Sequence, residues 1–338
     1  MSSQQSTNGK RRVFSGVQPS GEAHLGNDLG AFRQWVTLQD TYDCLFCIVD
    51  QHAITGQYDP EILPQRIFDM AVSLLAVGLD PDRCSIFVQS EVPEHTELAW
   101  LFNAVTPVGE LERMTQFKDK SSRLESIPAG ILNYPILQAA DILISQAEAV
   151  PVGVDQLQHL ELSREIARKW NAQYGELFPE PQAILGGTGR IMGLDGDAKM
   201  SKSLGNTVGI LAEPEEVWSQ VRTAVTDPQR IRKDDPGRPE VCNVYSLHEF
   251  FTDSAELPDI AEKCRTAQRG CVDCKKILAE SIATEFGPFR ERAAHYRAKP
   301  EVVMEILDQG AKRAGSIARN TMDHVRERMG MDWRKALV

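Results

Sequence analysis

Two lysines stand three residues apart in the stretch Lys-Met-Ser-Lys-Ser, which runs from Lys199 to Ser203. Their ammonium groups, together with the serine hydroxyls, can bind the oxygen atoms of a phosphate chain. The turn Leu204-Gly205-Asn206 follows and predicts a short flexible loop. Such a pentapeptide is more often only a solvated loop, so its interpretation depends on what precedes it in the chain.

A second stretch, His24-Leu25-Gly26-Asn27, lies where the first predicted strand gives way to the first predicted helix. The first amides of a helix lack partners and, together with the helix dipole, attract phosphate. Gly26 would let a ligand approach the backbone, while His24 and Asn27 would donate to phosphate oxygens as charge builds during a reaction. A histidine in the first turn of a helix is more often a surface residue, so this stretch alone decides little.

The pattern of apolar residues predicts the elements that position these two stretches. Short apolar runs alternate with segments of helical spacing through the first half of the chain. This order is typical of a parallel sheet with helices on its faces, which binds ligands at the carboxyl ends of its strands. The predicted strands are residues 11–17, 44–49, 84–89, 149–152 and 190–194, and the predicted helices include residues 25–38, 62–77, 156–174 and 301–329.

The composition limits the class of protein. Of the 338 residues, 42% are hydrophobic and 25% are charged, which is ordinary for a soluble globular chain. The net charge of −11 argues against a protein that coats itself in nucleic acid, although it is compatible with a local basic surface. Residues 1–10 are polar and predict a disordered N-terminus, and no apolar run has the length of a membrane span. We therefore expect a cytoplasmic protein.

Together the two stretches resemble a known pair of signatures. Residues 24–27 are similar to the His-Ile-Gly-His signature of class I aminoacyl-tRNA synthetases, and residues 199–203 match their second signature letter for letter. Further stretches resemble the bacterial tryptophanyl-tRNA synthetase family in particular, and the resemblance covers about residues 11–330. These further stretches are residues 16–21, 50–55, 109–118 and 139–143.

The resemblance implies an enzyme that activates L-tryptophan with ATP and Mg²⁺ and then transfers it to tRNA(Trp). Attack of the amino-acid carboxylate on the α-phosphate gives tryptophanyl-adenylate and pyrophosphate. Little covalent work falls to the protein, so positioning and charge stabilisation should supply the catalysis. The implied protein is a homodimer, and whether it has a further protein partner stays open.

The resemblance also implies a fold and its division into domains. The fold class is α/β, with a Rossmann-like parallel sheet in the catalytic domain and a helical anticodon-binding domain after it. The expected division is 1–10 disordered, 11–206 catalytic with a helical insertion that forms the dimer interface, 207–298 anticodon-binding, and 299–338 a C-terminal helix that packs back on the body.

Residue by residue, the resemblance assigns two groups of side chains. The first binds ATP, with Asp155 on the ribose hydroxyls, and neutralises the departing pyrophosphate with lysines. Its catalytic members are His24, Asn27, Lys120, Lys199 and Lys202, and its ATP-binding members are Gln18, Gly26, Asp155, Ile191, Met200 and Ser201. The second group binds tryptophan and comprises Phe14, His52, Tyr134, Gln138, Asp141, Val150, Val152 and Gln156.

Specificity for tryptophan is expected to rest on Asp141, whose carboxylate accepts the indole N–H in this family. A buried acceptor rejects phenylalanine strongly because phenylalanine would leave it unpaired, whereas apolar walls discriminate weakly. Two positions depart from the family. Gln138 replaces a common methionine and predicts tolerance of ring-substituted tryptophans, and Val154 replaces a common glutamate and should affect only local packing.

Four of the seven cysteines follow the second signature, and the last two of them form a Cys-x-x-Cys pair. Four thiolates can hold a zinc ion or an iron–sulfur cluster, and four separate thiols are the open alternative. Some bacterial members of the family carry a four-iron cluster at very similar spacing, which favours [4Fe–4S]. The four are Cys242, Cys264, Cys271 and Cys274, whereas Cys44, Cys47 and Cys84 lie in predicted strands and should be core thiols.

Other functions compete with this reading. The tyrosine-specific sister enzyme shares both signatures and the fold, although residues 50–55 and 109–118 favour tryptophan. A regulatory paralogue that holds tryptophan or its adenylate for a partner protein, and charges tRNA weakly, fits the departures at 138 and 154. A small-molecule nucleotidyltransferase would lack the long helical region after residue 206.

Overall fold

The computed structural model describes residues 9–122, 124–186, 191–334 and 337. Most of the N-terminus that the sequence predicts to be disordered, residues 1–8, lies outside the described residues. Within them, five strands are hydrogen-bonded side by side into one parallel sheet. The strands are β1 (Arg12–Val17), β2 (Asp43–Ile48), β3 (Cys84–Val88), β4 (Ala149–Val152) and β5 (Gln182–Leu185).

Helices cover the sheet and build the C-terminal third of the chain. Those before β4 are α1 (Leu25–Asn27), α2 (Arg33–Leu38), α3 (Asp50–Ala53), α4 (Leu63–Ala76), α5 (Glu94–Asn103), α6 (Val108–Glu112), α7 (Thr115–Ser121) and α8 (Ala129–Ile144). Those after β4 are α9 (Leu157–Tyr174), α10 (Pro214–Val221), α11 (Asn243–Phe251), α12 (Leu257–Arg265), α13 (Cys271–Glu285), α14 (Gly287–Arg297) and α15 (Pro300–Arg328). A π-helical stretch, Asp28–Phe32, joins α1 to α2, and single 3₁₀ turns form at Gln89–Glu91, Val154–Gln156, Lys202–Leu204 and Pro239–Val241. None of the helices in the described part of the chain is long and apolar enough to cross a membrane.

The predicted parallel sheet is confirmed, but its last strand was misplaced. Four strands fall within one residue of the predicted bounds, whereas β5 is Gln182–Leu185 rather than residues 190–194. Strand β5 is short and partly exposed, so its apolar signal in the sequence is weak. Met192 instead forms an isolated antiparallel bridge with Lys199, and Arg190 lies outside the described residues.

The strand order is β3-β2-β1-β4-β5, so the chain leaves β1 toward β2 on one side and reaches β4 on the other. At such a reversal the connections diverge and open a crevice at the carboxyl ends of the two central strands. That crevice lies beyond the ends of β1 and β4. The chemistry of the chain should therefore converge there.

Side chains of the central strands alternate between two hydrophobic layers. Val13, Cys44 and Phe46 face a layer that includes α2, α4, α10, α11, α13 and α14. Phe14 and Cys47 face the opposite layer, which includes α5, α8 and α9. Every residue of β2 and β3 is buried, as expected of parallel strands covered on both faces. The thiols of the cysteines in these strands are part of the core, as predicted.

The 29-residue helix α15 covers the edge of the sheet at β3. Its early residues Val303 and Leu307 belong to one hydrophobic layer and its later residue Ala314 to the other, so it passes from one face to the other. Gly310 lies at the crossing, where a Cβ would overlap the carbonyl oxygen of Ile86. A covered edge strand cannot pair with another chain.

Candidate active site

The start of α1 is closed by its own side chains. The Nδ1 of His24 accepts a hydrogen bond from the Gly26 amide at 3.1 Å, and the His24 amide donates to Oδ1 of Asn27 at 3.0 Å. The Leu25 amide donates to the Val208 carbonyl, and the Asn27 amide to that of His24. The expectation of free amides at this helix start is therefore wrong, because a reciprocal cap and a neighbouring segment already use them.

The cap fixes the tautomer of His24. Because Nδ1 accepts the Gly26 amide, the proton of the neutral ring is on Nε2. Burial, together with the nearby charges of Lys202 and Lys199, lowers the pKa of His24 to about 4. Near neutral pH the residue is thus an uncharged ring whose Nε2–H is its donor.

Asn206 holds the lysine loop in place beside this cap. Its Oδ1 accepts the amide of Ser201 at 2.8 Å, and its Nδ2 donates to the Asp195 carboxylate at 2.7 Å. The site of a Cβ on Gly26 lies 3.5 Å from Cβ of Met200. The structure therefore brings the two signatures together, with Ile191 accepting the Met200 amide at the base of the loop.

The two lysines of the loop have different surroundings. Lys199 lies with Nζ 3.8 Å from Oδ2 of Asp155, and both side chains are more than half exposed. Lys202 is partly buried and packs over Gly21. Burial lowers the pKa of Lys202 to about 8, against the opposing charge of Glu22.

Lys120, which the resemblance assigns to the phosphates, contacts the ring of Tyr134. Its Nζ stands 4.2 Å from the centre of the Tyr134 ring, a cation–π contact. Burial lowers its pKa. The ring of Tyr134 in turn meets His52 edge-on, with centroids 6.4 Å apart, so Lys120 stands beside residues assigned to tryptophan.

A pocket of about 340 Å³ opens at the carboxyl ends of β1 and β4. It brings together seven of the eight side chains assigned to tryptophan, and Tyr134 reaches it through His52. The seven are Phe14, His52, Gln138, Asp141, Val150, Val152 and Gln156, and the ATP-assigned Gln18 also lines the pocket. Gly30, Ala31, Gln34 and Trp35 line it as well, although the sequence analysis did not single them out.

The Asp141 carboxylate is the buried polar centre of this pocket. Its Oδ2 lies 2.8 Å from Nε2 of His52, and its Oδ1 lies 2.7 Å from both Nδ1 of His95 and Nε2 of Gln89. Burial alone would raise the pKa of Asp141, but the hydrogen bonds from His52 and His95 outweigh it and lower the pKa to about 2. The carboxylate is thus ionised and both histidines donate to it, because a carboxylate only accepts.

A second buried pair adjoins the pocket. The hydroxyl of Tyr134 lies 2.9 Å from Nε2 of His159. Burial lowers the pKa of His159 to about 4 and raises that of Tyr134 to about 12, so both groups are neutral at ordinary pH. Nδ1 of His159 is buried and has no hydrogen-bond partner among the described residues.

Sequence comparison assigns this constellation to a family. The family described as tRNA synthetases class I (W and Y) matches residues 5–287. The chain belongs to this family. The resemblance carried by the two signatures is thereby confirmed, and so is the Rossmann-like class of the fold.

Relatives and solved structures agree with this assignment. The tryptophan–tRNA ligase of Deinococcus radiodurans is 52% identical over 324 residues, which cover 94% of this chain and 98% of the relative. That of Thermotoga maritima is 42% identical, with 95% of this chain and 99% of the relative covered. The tryptophanyl-tRNA synthetase of Campylobacter jejuni, solved in complex with ADP and tryptophan, is 36% identical with a TM-score of 0.86, covering 94% of this chain and 99% of the other.

The C-terminal half of this class I synthetase also brings its four cysteines together. Cys242, Cys264, Cys271 and Cys274 line one pocket with Arg230, Val244, Ile260 and Arg269. Among the described residues, however, no group of three or more His, Cys, Asp or Glu side chains could hold a metal ion. A zinc ion and an iron–sulfur cluster would both need these sulfurs as ligands, so this finding favours neither of them over four separate thiols.

The two departures from the family lie in different places. Gln138 lines the tryptophan-assigned pocket, where its amide can meet a substrate ring. Val154 is 76% exposed. Its side chain faces away from the packed interior, so it has little local packing to affect.

Proposed function

We propose that the cleft of this synthetase binds L-tryptophan and ATP, forms tryptophanyl-adenylate and passes the aminoacyl group to tRNA(Trp). Relatives at 42–52% identity over nearly the whole chain are tryptophan–tRNA ligases, and this enzyme joins tryptophan to tRNA. The observation that carries the proposal is the ionised, buried carboxylate of Asp141 in a pocket that also holds six other side chains assigned to tryptophan. An acceptor in that position suits the N–H of an indole ring.

The amino-acid end of the cleft offers complementary groups for tryptophan. The apolar side chains of Phe14, Val150 and Val152 supply walls for a flat ring, and Asp141 accepts its N–H. The Tyr134 hydroxyl, whose proton can be directed to His159, would present lone pairs to the substrate ammonium. Gln156 lies at the same rim and can bind the ammonium or the carboxylate.

The phosphate end would activate the carboxylate of tryptophan. One carboxylate oxygen attacks the α-phosphorus, the bond from that phosphorus to the bridging oxygen breaks, and pyrophosphate leaves with the electron pair. His24 through Nε2–H, and Lys199 and Lys202 through their charge, would stabilise the negative charge that builds on the phosphates. Magnesium enters with ATP as part of the metal–nucleotide substrate.

The remaining assigned groups would orient the nucleotide. Asp155 would accept the ribose hydroxyls, and the side-chain amide groups of Gln18 and Asn27 would donate to phosphate oxygens through their nitrogens. Gly26 and Ser201 would border the nucleotide, and the buried side chains of Ile191 and Met200 would support them from beneath.

Two assays run side by side test this function. ATP–pyrophosphate exchange is measured with tryptophan, tyrosine and phenylalanine, and charging is measured with tRNA(Trp). We expect exchange with tryptophan to exceed exchange with either competitor by at least about 10³-fold, because phenylalanine has no donor for Asp141 and the tyrosine hydroxyl stands at a different place on the ring from the indole N–H. A preference for tyrosine would favour the sister enzyme, and exchange without charging would favour the regulatory paralogue.

The helical region over residues 207–298 is proposed to contact the anticodon part of the tRNA. Its basic residues near the cysteines are mostly engaged within the protein: Lys263 and Arg269 pair with Asp259, and Arg265 pairs with Glu240. Binding of tRNA phosphates would therefore exchange internal ion pairs for external ones. Such an exchange predicts a shallower salt dependence than the number of basic residues suggests.

We propose further that the four-cysteine pocket holds a [4Fe–4S] cluster, with Cys242, Cys264, Cys271 and Cys274 as its thiolate ligands. One observation supports an anionic group in this pocket. Nε of Arg230 and Nη1 of Arg269 belong to lining residues and are buried donors without partners among the described residues. The pocket is only about 20 Å³, so binding a cluster would require the segments that carry the cysteines to move apart.

When bound, such a cluster would supply a covalent cross-link between segments distant in sequence. Arg230 already donates through Nη1 to Sγ of Cys264 at 3.6 Å and through Nη2 to the carbonyls of Lys233 and Arg269. These hydrogen bonds thus hold the loop after Asp227 against the cysteines. No step of the adenylation reaction passes through this region.

The cluster is tested on anaerobically purified protein. We expect brown protein with about four iron atoms per chain, absorption near the visible range, and loss of both in Cys271→Ser. Cys84→Ser, which removes a core thiol, is the matched control and should keep them. If the wild type and Cys84→Ser were both colourless and free of iron, the four cysteines would be four separate thiols.

A homodimer and a cytoplasmic location complete the proposal. Large apolar side chains are exposed in the region between the two signatures: Trp100 on α5 is 76%, Val108 on α6 58%, and Ile127 just before α8 48% exposed. Burying them against a second copy would remove this apolar surface from water. Sedimentation equilibrium of the protein and of Trp100→Glu tests this, and a wild-type monomer at micromolar concentration would refute the dimer.

A further inference from the structure

The oxygens of the Asp141 carboxylate are not equally occupied. An ionised carboxylate offers about four lone-pair sites, two on each oxygen. Oδ1 receives both His95 and Gln89, whereas Oδ2 receives His52. Among the described contacts, therefore, the vacant site is on Oδ2.

The vacant site is also on the side of the substrate. His52 and Asp141 both line the pocket, while His95 and Gln89 are not part of its lining. The two donors on Oδ1 thus approach the carboxylate from behind. We infer that Gln89 and His95 are specificity-determining positioning residues, which occupy Oδ1 so that one lone pair on Oδ2 is reserved for the indole N–H. This inference rests on the proposed role of Asp141 as the indole acceptor.

The surroundings of His95 fix its orientation. The ring is 1% exposed and lies between Phe14 and Phe87, with centroid distances of 6.3 and 5.9 Å. It comes from the start of α5, an element that contributes nothing to either signature. Packing on both faces leaves the ring no other direction in which to present Nδ1.

The orientation of the Gln89 side chain is also fixed, but by different contacts. Its side chain is fully buried at the end of β3, and Nε2 donates to Asp141 while Oε1 has no partner among the described residues. A buried carbonyl oxygen without a donor costs free energy. This cost is incurred in the conformation in which the side-chain N–H₂ donates to the Asp141 carboxylate.

The charge state of the carboxylate depends on the hydrogen bonds from His52 and His95. The titratable groups that face Asp141 are His52 from α3, His95 from α5 and the thiol of Cys47 from β2. Burial raises the pKa of that thiol well above its usual range, and the Asp141 charge raises it further, so the thiol is neutral. Without His95, burial is opposed less and the pKa of Asp141 moves up. A protonated Asp141 would use one oxygen as a donor and lose acceptor capacity toward the indole.

A pair of substitutions at one position tests the inference. His95→Phe keeps a ring between the two phenylalanines but removes the donor, whereas His95→Asn keeps an N–H near the place of Nδ1. KM for tryptophan is measured by pyrophosphate exchange between pH about 5 and 8, a range well above the ordinary aspartate pKa. We expect His95→Phe to raise KM about tenfold, the equivalent of one lost net hydrogen bond, and increasingly as the pH falls. kcat stays near wild type, and His95→Asn stays close to wild type with a flat profile.

Gln89→Met provides the second arm, since it removes the other donor with little change of shape. It should raise KM in the same pH-dependent direction, which keeps the test decisive if His95→Phe does not fold. Equal, pH-independent effects of the Phe and Asn variants, or an unchanged KM in Gln89→Met, would overturn the inference. Asp141→Asn is measured in parallel: if it keeps the preference for tryptophan over phenylalanine, the proposed role of Asp141 fails. If it loses that preference while the donor variants do not, only the positioning role fails.

Discussion

At the amino-acid end of the cleft the side chain of Asp141 is 2% exposed and receives three hydrogen bonds, whereas at the phosphate end that of Lys199 is 58% exposed, with Asp155 3.8 Å away. The carboxylate at the amino-acid end is thus shielded from solvent and already hydrogen-bonded. The polar groups at the phosphate end are exposed and available to a ligand. The difference follows from what each end must do.

Discrimination between similar rings requires a fixed acceptor whose unpaired state is costly, and burial provides this. Neutralising a polyphosphate requires several cations whose positions adjust to a flexible chain, and solvent keeps those cations charged until ATP arrives. The cleft thus combines a rigid acceptor for the amino-acid ring with cations that can adjust their positions to the phosphates. The following changes test that division, from the largest expected effect to the smallest.

Removing the buried carboxylate should be the most damaging change. Asp141→Ala leaves the N–H groups of His52, His95 and Gln89 buried without an acceptor, and we expect a loss of about 3–5 kcal/mol in the free energy of unfolding. Urea denaturation measures it. Asp155→Ala at the exposed end is the matched control and should cost at most about 0.5 kcal/mol. Equal costs at the two positions would show that the two ends do not differ in this way.

The same carboxylate gives the stability a pH dependence. Its folded-state pKa is about 2, below the ordinary value of 3.8, so its contribution is fully present above the unfolded pKa and disappears as the pH falls through the folded one. We therefore expect the stability difference between the wild type and Asp141→Asn to shrink between pH about 4 and 2. A difference that stays constant over that window would contradict the pKa assignment.

Loss of a loop lysine should affect rate rather than tryptophan binding. Lys202→Ala and Lys199→Ala should lower kcat for pyrophosphate exchange by about 10²–10³-fold, with KM for tryptophan nearly unchanged, because their charge acts on the departing pyrophosphate. Exposed Lys299→Ala is the control and should retain full activity. If either variant weakened tryptophan binding alone, the role of the lysines in stabilising the departing pyrophosphate would be wrong.

The partly buried lysine should also set an alkaline limit on activity. Burial lowers the pKa of Lys202 to about 8, so in the enzyme without ATP its charge is present below that pH and is lost above it. We expect kcat/KM for ATP to fall by up to about tenfold per pH unit above 8. Lys202→Arg should move this limb to higher pH, since a guanidinium stays charged. An unmoved limb would assign the titration to another group.

The smallest effect is expected at Gln138. Its amide lines the pocket and can bond to a polar substituent on the indole ring, so wild type should use nitro- or hydroxy-tryptophan about two- to tenfold better than Gln138→Met in pyrophosphate exchange. Tryptophan itself should distinguish the two proteins little. If the variant matched wild type on both analogues, the glutamine would have no part in tolerance.

What the sequence predicted well was local or strongly patterned. The apolar runs of β1 to β4 and the stripe of α15 are long or buried enough to mark their elements, and the two signatures are contiguous. β5 was misplaced because four half-exposed residues carry little pattern. The free amides at His24 were wrongly expected because the side chains of His24 and Asn27 cap the helix, and because Val208, which is distant in sequence, accepts the Leu25 amide.

The unpredicted part of the site consists of residues that act through others. Gln89, His95, His159 and Asn206 lie outside the recognised stretches, and each becomes meaningful only when the fold places it on a side chain from another element. His95, seven residues after the end of β3, and Asn206, three residues after the pentapeptide, have no distinctive local pattern. Their discovery required the distances.

The glycine that lets α15 cross the edge of β3 bears on how the enzyme is made. Residues 300–328 leave the ribosome only after the whole sheet has been synthesised, so a nascent chain carries an uncovered strand edge for most of its synthesis. Such an edge is open to pairing with other chains. The sheet is therefore protected only once this helix has been synthesised and has folded. We expect prematurely terminated chains to aggregate rather than to compete with the finished enzyme for tryptophan.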